Sequence, residues 1–290
     1  MTGNESEVNT AIISKLCESG FKVFACVREK NGSFAEDLKR TITSKGLIIC
    51  KMDRTEKKSI DACLCEIRAK MGIDEKIWGL VTYCGFPLIS KIDWGNFDSH
   101  FNRVIEGDVI GLLHMVRECL PLVREAKGRI VNVTSEIDRQ RGRPFHCAAA
   151  ISSSTSYSLM ECVRREVAYF GVHVINIQTD FGLHTLGSKA EMQTALNEVW
   201  QATSECMRSD AQLQRASQEL AVCTDRRTRD SAFFAIADST ERALRARFPE
   251  FKYHANVSGS RSLLSLCADF MPDELRSCLA MLVNLDAPGQ

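Results

Sequence analysis

The sequence predicts an α/β fold built on a doubly wound parallel sheet, and three observations carry that expectation. Apolar runs at Lys22–Val27, Gly46–Cys50, Ile77–Tyr83, Ile130–Thr134 and Val172–Ile177 have the continuous hydrophobicity of strands buried on both faces. Segments with helical periodicity, Thr10–Ser19, Phe34–Ser44, Ser59–Met71, Val109–Leu122 and Ser152–Phe170, precede or separate them, an alternation that implies right-handed crossovers. The stretch Gly128–Val167 passes from a strand through Ser135 and a polar loop into a helix ending in Arg164-Arg165-Glu166. That layout places a hydroxyl at the carboxyl end of a strand, where open α/β sheets collect their chemistry.

The 290 residues, 44% hydrophobic and 26% charged, suffice for one large domain or one domain with an appendage. Lys+Arg and Asp+Glu both number 37, so no net charge recruits nucleic acid or an anionic membrane. The 13 cysteines lack paired metal spacing, and Cys63-Leu64-Cys65 is too close for the usual zinc or redox turn; they read as reduced thiols of a cytoplasmic environment. No apolar run approaches the ~20 residues of a membrane span. The six histidines show no ligand spacing, and Arg139–Arg143 reads as a solvated basic loop.

After Ile177 the texture becomes helical. Ser188-Lys-Ala-Glu191 forms a capping box ahead of a face with Met192, Leu196, Val199 and Thr203. Further helices are expected over Leu213–Cys223, from near Ser239, and after Pro272, ahead of Leu275, Leu279 and Leu282. Residues 1–185 are therefore expected to form the core, and 186–290 a helical cap of the same domain over the sheet's carboxyl edge. Such a cap either shapes an apolar pocket or simply covers the core.

Several motifs in the right order resemble the short-chain dehydrogenase/reductases. They are Thr2-Gly3 before a helix, Lys51-Met-Asp53 after a strand, Ile77-Trp-Gly-Leu-Val81 followed by Gly85, Asp93-Trp94, Pro121-Leu-Val-Arg124 and Gly128-Arg-Ile-Val-Asn-Val-Thr-Ser135. Arg164-Arg-Glu-Val, Tyr169-Phe-Gly-Val172 and Ala246-Arg-Phe-Pro249 with Tyr253 are similar to the branch holding retinol dehydrogenases, 17β-hydroxysteroid dehydrogenases and 3-hydroxybutyrate dehydrogenase. The resemblance implies a Rossmann-type sheet, NAD or NADP as cofactor and redox chemistry on a lipophilic alcohol or ketone.

Carried over residue by residue, it also implies losses. The phosphate loop of the family needs three glycines so that backbone N–H groups can approach a pyrophosphate. Here Thr2 and Gly3 remain, while Glu7 and Asn9 stand where the other two are expected, with Glu7 adding negative charge. Asp53 matches the residue near the adenine, or is simply a helix cap. The strand end Val23–Arg28 lacks the acid that would hold an NAD ribose; Arg28 either favours a phosphorylated ribose, which leans the choice towards NADP if a cofactor binds, or is simply a solvated side chain. Gly85 is retained in the loop after the fourth expected strand of the family, and Thr185 stands near the nicotinamide threonine. Ser135 matches the catalytic serine and Asp108 the structural asparagine. The Tyr and Lys of the acid/base pair fall on Ala149 and Ser153, and sliding the register to His146 or Tyr157 finds Ala150 and Glu161 instead of Lys. A hydrolase built on Ser135, His146 and an Asp lacks the Gly-x-Ser-x-Gly elbow.

In the family a hydrophobic strand runs into the Thr-Gly turn, whereas Met1 directly precedes Thr2 here. The first strand is therefore expected to be missing, exposing the edges of its neighbours; relatives with an upstream anchor imply an endoplasmic reticulum or mitochondrial membrane association for a longer product. Two functions follow. One is a catalytically degenerate member that binds a lipophilic molecule or acts as a homo- or heterodimer partner. The other is a working NAD(P)-dependent oxidoreductase on a steroid, retinoid or similar alcohol, using Ser135 with Tyr83 or Tyr157.

Overall fold

The computed structural model describes residues 1–3, 5–83, 88, 90–135, 145–179, 189–221 and 226–255. Strands β1 (Val23–Val27) and β2 (Leu47–Lys51) form a parallel pair, and β3 (Gly79–Tyr83), β4 (Arg129–Ser135), β5 (His173–Thr179) and β6 (Lys252–Ala255) form a parallel sheet in that order. The five expected strands all occur, shifted by one or two residues at their ends. β6, around Tyr253, was not anticipated.

Helices α1 (Glu7–Glu18) and α8 (Arg226–Arg245) cover one face, and α3 (Lys57–Lys70), α4 (Gly111–Glu125) and α5 (Cys147–Val167) cover the other; α2 (Ser33–Thr41) joins the first layer. Strand alternation sorts the side chains between them: Val131 and Val133 enter the core under α1 and α8, while Ile130 enters the core under α3, α4 and α5. α1 starts where its apolar face starts, with the Ser6 hydroxyl accepting from the Asn9 N–H at 3.4 Å. Along the sheet's middle, Thr82 donates to Asn132 at 3.0 Å and Asn132 donates to Asn176 at 3.1 Å. These residues are directly in register, so the polar ladder locks β3, β4 and β5 together.

The expected cap divides. α6 (Lys189–Ala202) and α7 (Asp210–Ala221) bring Leu196, Val199 and Ala216 against Trp94, Phe101 and Phe145. The Trp94 ring lies 5.7 Å from Phe145 and 5.2 Å from Trp200. Thr203, just past α6, donates to the Val199 carbonyl and accepts from the Gly95 N–H, both at 2.8 Å. The third helix does not begin near Ser239. It begins at Arg226, and Ser239 is buried within it because α8 packs on α1 in the core layer. Ser188 and the helix expected after Pro272 lie outside the described residues.

β1 and β3 do not pair with each other. Among the described residues, Met1 and Thr2 stand between them, parallel to β3: the Thr2 N–H donates to Val81 O at 2.9 Å, and the Tyr83 N–H donates to Thr2 O at 3.0 Å. On the other side the Cys26 N–H donates to Met1 O at 3.0 Å. Met1 and Thr2 thus bridge the carboxyl ends of β1 and β3.

Candidate active site

The carboxyl ends of β1, β2 and β3 converge on the turn at Thr2 and Gly3. Gly3 sits there because nothing larger fits: a Cβ would lie 2.8 Å from Asn9 Nδ2 and 2.9 Å from both Cβ and the carbonyl oxygen of Tyr83. Asn9 is buried in α1 and fills the space beside that turn. The acid aimed at the cleft is Glu5, whose carboxylate accepts from the Arg28 N–H at 2.7 Å, rather than Glu7, which lies exposed in the first turn of α1. Glu5 escaped the sequence reading because glycine spacing drew attention only to positions 7 and 9.

Asp53 closes the other side. Its carboxylate accepts from the Thr55 N–H at 2.9 Å and the Thr55 hydroxyl at 2.7 Å, and Arg28 Nε lies 3.9 Å away. Burial opposes its ionisation, but the Thr55 hydrogen bonds and the charges of Arg28 and Arg103 prevail, holding its pKa below the ordinary carboxylate value. Thr2, Gly3, Glu5, Arg28, Asp53, Arg54 and Thr55 enclose a cavity of about 40 Å³. Pockets for cofactor-sized ligands run to about 300–1,000 Å³.

Ser135 ends β4, fully buried and in register with Thr179 of β5. The chain ahead of α4 is irregular: π-helical turns at Phe97–Phe101 and Ile105–Ile110 precede it, the second carrying Asp108 into the interior. Such widened turns recur at functional sites because they re-aim a side chain. Asp108 is fully buried and held from two sides. Arg54 donates to Oδ1 at 2.8 Å as a buried ion pair, and Ser152 donates to Oδ2 at 2.8 Å. Arg54 also reaches the Tyr83 carbonyl at 3.4 Å.

This guanidinium is a second feature the sequence does not announce, since nothing in the spacing of residues 54 and 108 points to a contact. It reaches from the Asp53 side of the cleft to Asp108, which Ser152 of α5 holds from the other side. Ala149 and Ser153 are buried one helical turn apart on α5, and Ser152, rather than Ser153, contacts Asp108. Tyr83 is no surface acid, because it is fully buried in the core cluster of α1 and α8. Tyr157 on α5 is half-buried, and His146 is buried at the N-terminus of that helix. Gly85, Thr185 and Arg139–Arg143 lie outside the described residues.

Among the described residues nine cysteines are free thiols, no cluster could hold a metal ion, and no helix is long and apolar enough to cross a membrane. Three of the thiols gather under β1, where Cys26 and Cys63 stand 3.8 Å apart with Cys50 alongside.

The short chain dehydrogenase family model matches residues 1–195. Mouse (Mus musculus) retinol dehydrogenase 16 is 30% identical over 289 residues, covering 98% of this chain and 88% of its own length. Rat (Rattus norvegicus) 17-beta-hydroxysteroid dehydrogenase type 6 is 28% identical over 302 residues, covering 100% of this chain and 89% of its own. Among solved structures, a short-chain dehydrogenase from Streptomyces avermitilis superposes with a TM-score of 0.63 at 17% identity, over 99% of this chain and 95% of its own, showing the shared fold. An NADPH-bound short chain oxidoreductase from Pseudomonas aeruginosa PAO1, described as containing an atypical catalytic center, gives 0.61 at 17% identity over 89% of this chain and 94% of its own. With the parallel sheet, the Thr2-Gly3 turn and Ser135 at the end of β4 in the matched region, this chain belongs to the short-chain dehydrogenase family.

Proposed function

We propose that this chain is a catalytically degenerate short-chain dehydrogenase, which keeps the scaffold of a lipophilic-alcohol oxidoreductase without its redox turnover. The observation that carries this reading is the buried Arg54–Asp108–Ser152 network, at the place the family uses for its structural asparagine. Proton transfer in the family needs a phenol with a Lys four residues on, whose charge lowers the phenol pKa. Ala149 and Ser153 offer neither group, and a serine hydroxyl at Ser135 does not replace the acid/base work of that pair.

NAD or NADP is the cofactor class of the family, but the described phosphate and adenine half of the cleft does not fit it. The 40 Å³ cavity, the Asn9 side chain against Gly3 and the Glu5 carboxylate each oppose a pyrophosphate there. No step is therefore derived through the cofactor. The retained role is binding of a lipophilic small molecule, or association as a dimer partner. Ile110 and Leu113, half-exposed where the second π-helical turn meets α4, offer an apolar surface for the latter.

The named activities of the retinol and 17β-hydroxysteroid dehydrogenases favour a second reading, an active enzyme on such alcohols that uses Ser135 and Tyr157. One titration separates the two. Purified protein is mixed with NADH or NADPH while cofactor fluorescence and thermal shift are followed. The degenerate reading expects no saturable change up to millimolar cofactor. Saturable binding with turnover of all-trans-retinol or a hydroxysteroid, abolished by Ser135→Ala, would overturn it.

A further inference from the structure

Three of the described thiols meet between the β1–β2 pair and α3, in no contact with the Arg54–Asp108–Ser152 network. Cys26 and Cys50 are direct partners in the parallel register of β1 and β2, and α3 sets Cys63 against them, its sulfur 3.8 Å from that of Cys26. Hydrogen bonding from Cys63, opposed by burial, holds the Cys26 and Cys50 thiols below their ordinary value and pushes Cys63 itself up. The charge of Glu66 acts against this at Cys26, but Lys30 and Lys70 each pair with that carboxylate at 2.6 Å. One shared donor thus serves two strand thiols.

The three differ in access. Cys26 lines the cavity of about 40 Å³ beside Arg28 and Asp53, whereas Cys50 and Cys63 are 0% and 1% exposed and do not line it. A space of that size admits a molecule as small as water or hydrogen peroxide. All three cysteines are free, and the sulfurs of Cys26 and Cys63 must close from 3.8 Å to about 2.05 Å to bond, a movement on the scale of side-chain rotation.

We propose that Cys26 and Cys63 are a peroxide-modified dithiol, in which Cys26 meets hydrogen peroxide from the cleft and Cys63 closes a reversible disulfide between β1 and α3. The Cys26 thiolate attacks one peroxide oxygen, the O–O bond breaks, and the sulfur becomes a sulfenic acid as hydroxide leaves. Cys26 is then neutral and no longer the acceptor that kept Cys63 protonated. Cys63 gives its proton to the hydroxide, and its sulfur attacks that of Cys26, breaking the S–O bond. The second hydroxide takes up the proton that Cys26 had released. The two sulfurs lose two electrons and the peroxide gains them, leaving one disulfide and two waters. The bond encloses α2 and β2 in a loop, and a soluble thiol reopens it by exchange.

The test uses the full chain, reduced and desalted, then exposed to hydrogen peroxide near neutral pH. Free thiols are blocked with N-ethylmaleimide, and the protein is digested without reduction for peptide mass spectrometry. The expected product is a Cys26–Cys63 cross-link lacking two hydrogens, formed before the exposed Cys65, Cys162 and Cys206 are oxidised and reversed by dithiothreitol. Cys26→Ser, checked for folding by circular dichroism, should leave Cys63 reduced under the same exposure. Alkylated Cys26 and Cys63 after the exposed thiols have reacted would overturn the proposal, as would a bond from Cys26 to Cys50 or Cys119 instead. Oxidation of Cys63 at an unchanged rate in Cys26→Ser would equally overturn it, because the peroxide would then reach α3 by another route.

Discussion

Removing the charge of Asp108 tests the network that carries the functional reading. The Arg54 and Asp108 side chains are 9% and 0% exposed, so neither solvent nor salt screens the 2.8 Å pair effectively. Asp108→Ala leaves the guanidinium buried without its carboxylate and deprives Ser152 of its acceptor. Breaking one partner of a buried pair costs about 3–5 kcal/mol, most of it the stranded charge. At roughly 2–4 °C per kcal/mol for a chain of this size class, Tm should fall by about 10 °C. Arg54→Met alone strands the carboxylate and should cost a similar amount. The double variant Arg54→Met/Asp108→Ala removes both charges, so it should be well less destabilised than the sum of the single variants, with a coupling of at least about 2 kcal/mol. The assay is urea unfolding followed by far-UV circular dichroism, with all four proteins at the same pH and salt. Additive losses, with coupling under about 0.5 kcal/mol, would refute the claim that the pair is a buried, mutually dependent unit.

Other expectations follow from the same geometry. Gly111 allows α4 to pass close to the Arg54 backbone: a Cβ there would lie 2.3 Å from the Arg54 carbonyl oxygen. Gly111→Ala should therefore cost at least about 2 kcal/mol in thermal unfolding, and an unchanged Tm would contradict this packing. Asp53 has a folded-state pKa below its unfolded value, so its contribution to stability is fully present above the unfolded carboxylate pKa of about 3.9 and is lost as pH falls through the folded value. The stability gap between wild type and Asp53→Asn should accordingly be constant near neutral pH and shrink in acid; a gap that widens in acid would reverse the assigned sign.

The strands were legible because a central parallel strand has no polar face, and five such runs stand out from Lys22 to Ile177. β6 was not legible: three of its four residues, Lys252, Tyr253 and His254, are only partly buried, and the strand borrows its place from pairing with β5. Ser135 was found by its place at a strand end. Arg54 was not, because an ion pair between a loop and a π-helical turn leaves no periodic trace. Glu5 was overlooked for a related reason, since whether an acid two residues before a helix faces the cleft or solvent depends on the turn at Gly3 and not on composition.

The packing of α1 on α8 sets a timetable for biosynthesis. Ser19, at the end of α1, bonds Glu241 of α8 at 2.8 Å across 222 residues of chain, and Ile12 and Leu16 bury their side chains in the cluster that contains Ile236 and Leu244. During translation at about 5–20 residues per second, the apolar face of α1 waits roughly 10–45 s for its partner to be made. Of the described helices, α1 is thus made before its cover by the longest interval, and its layer of the sheet stays open to chaperones until α8 has followed.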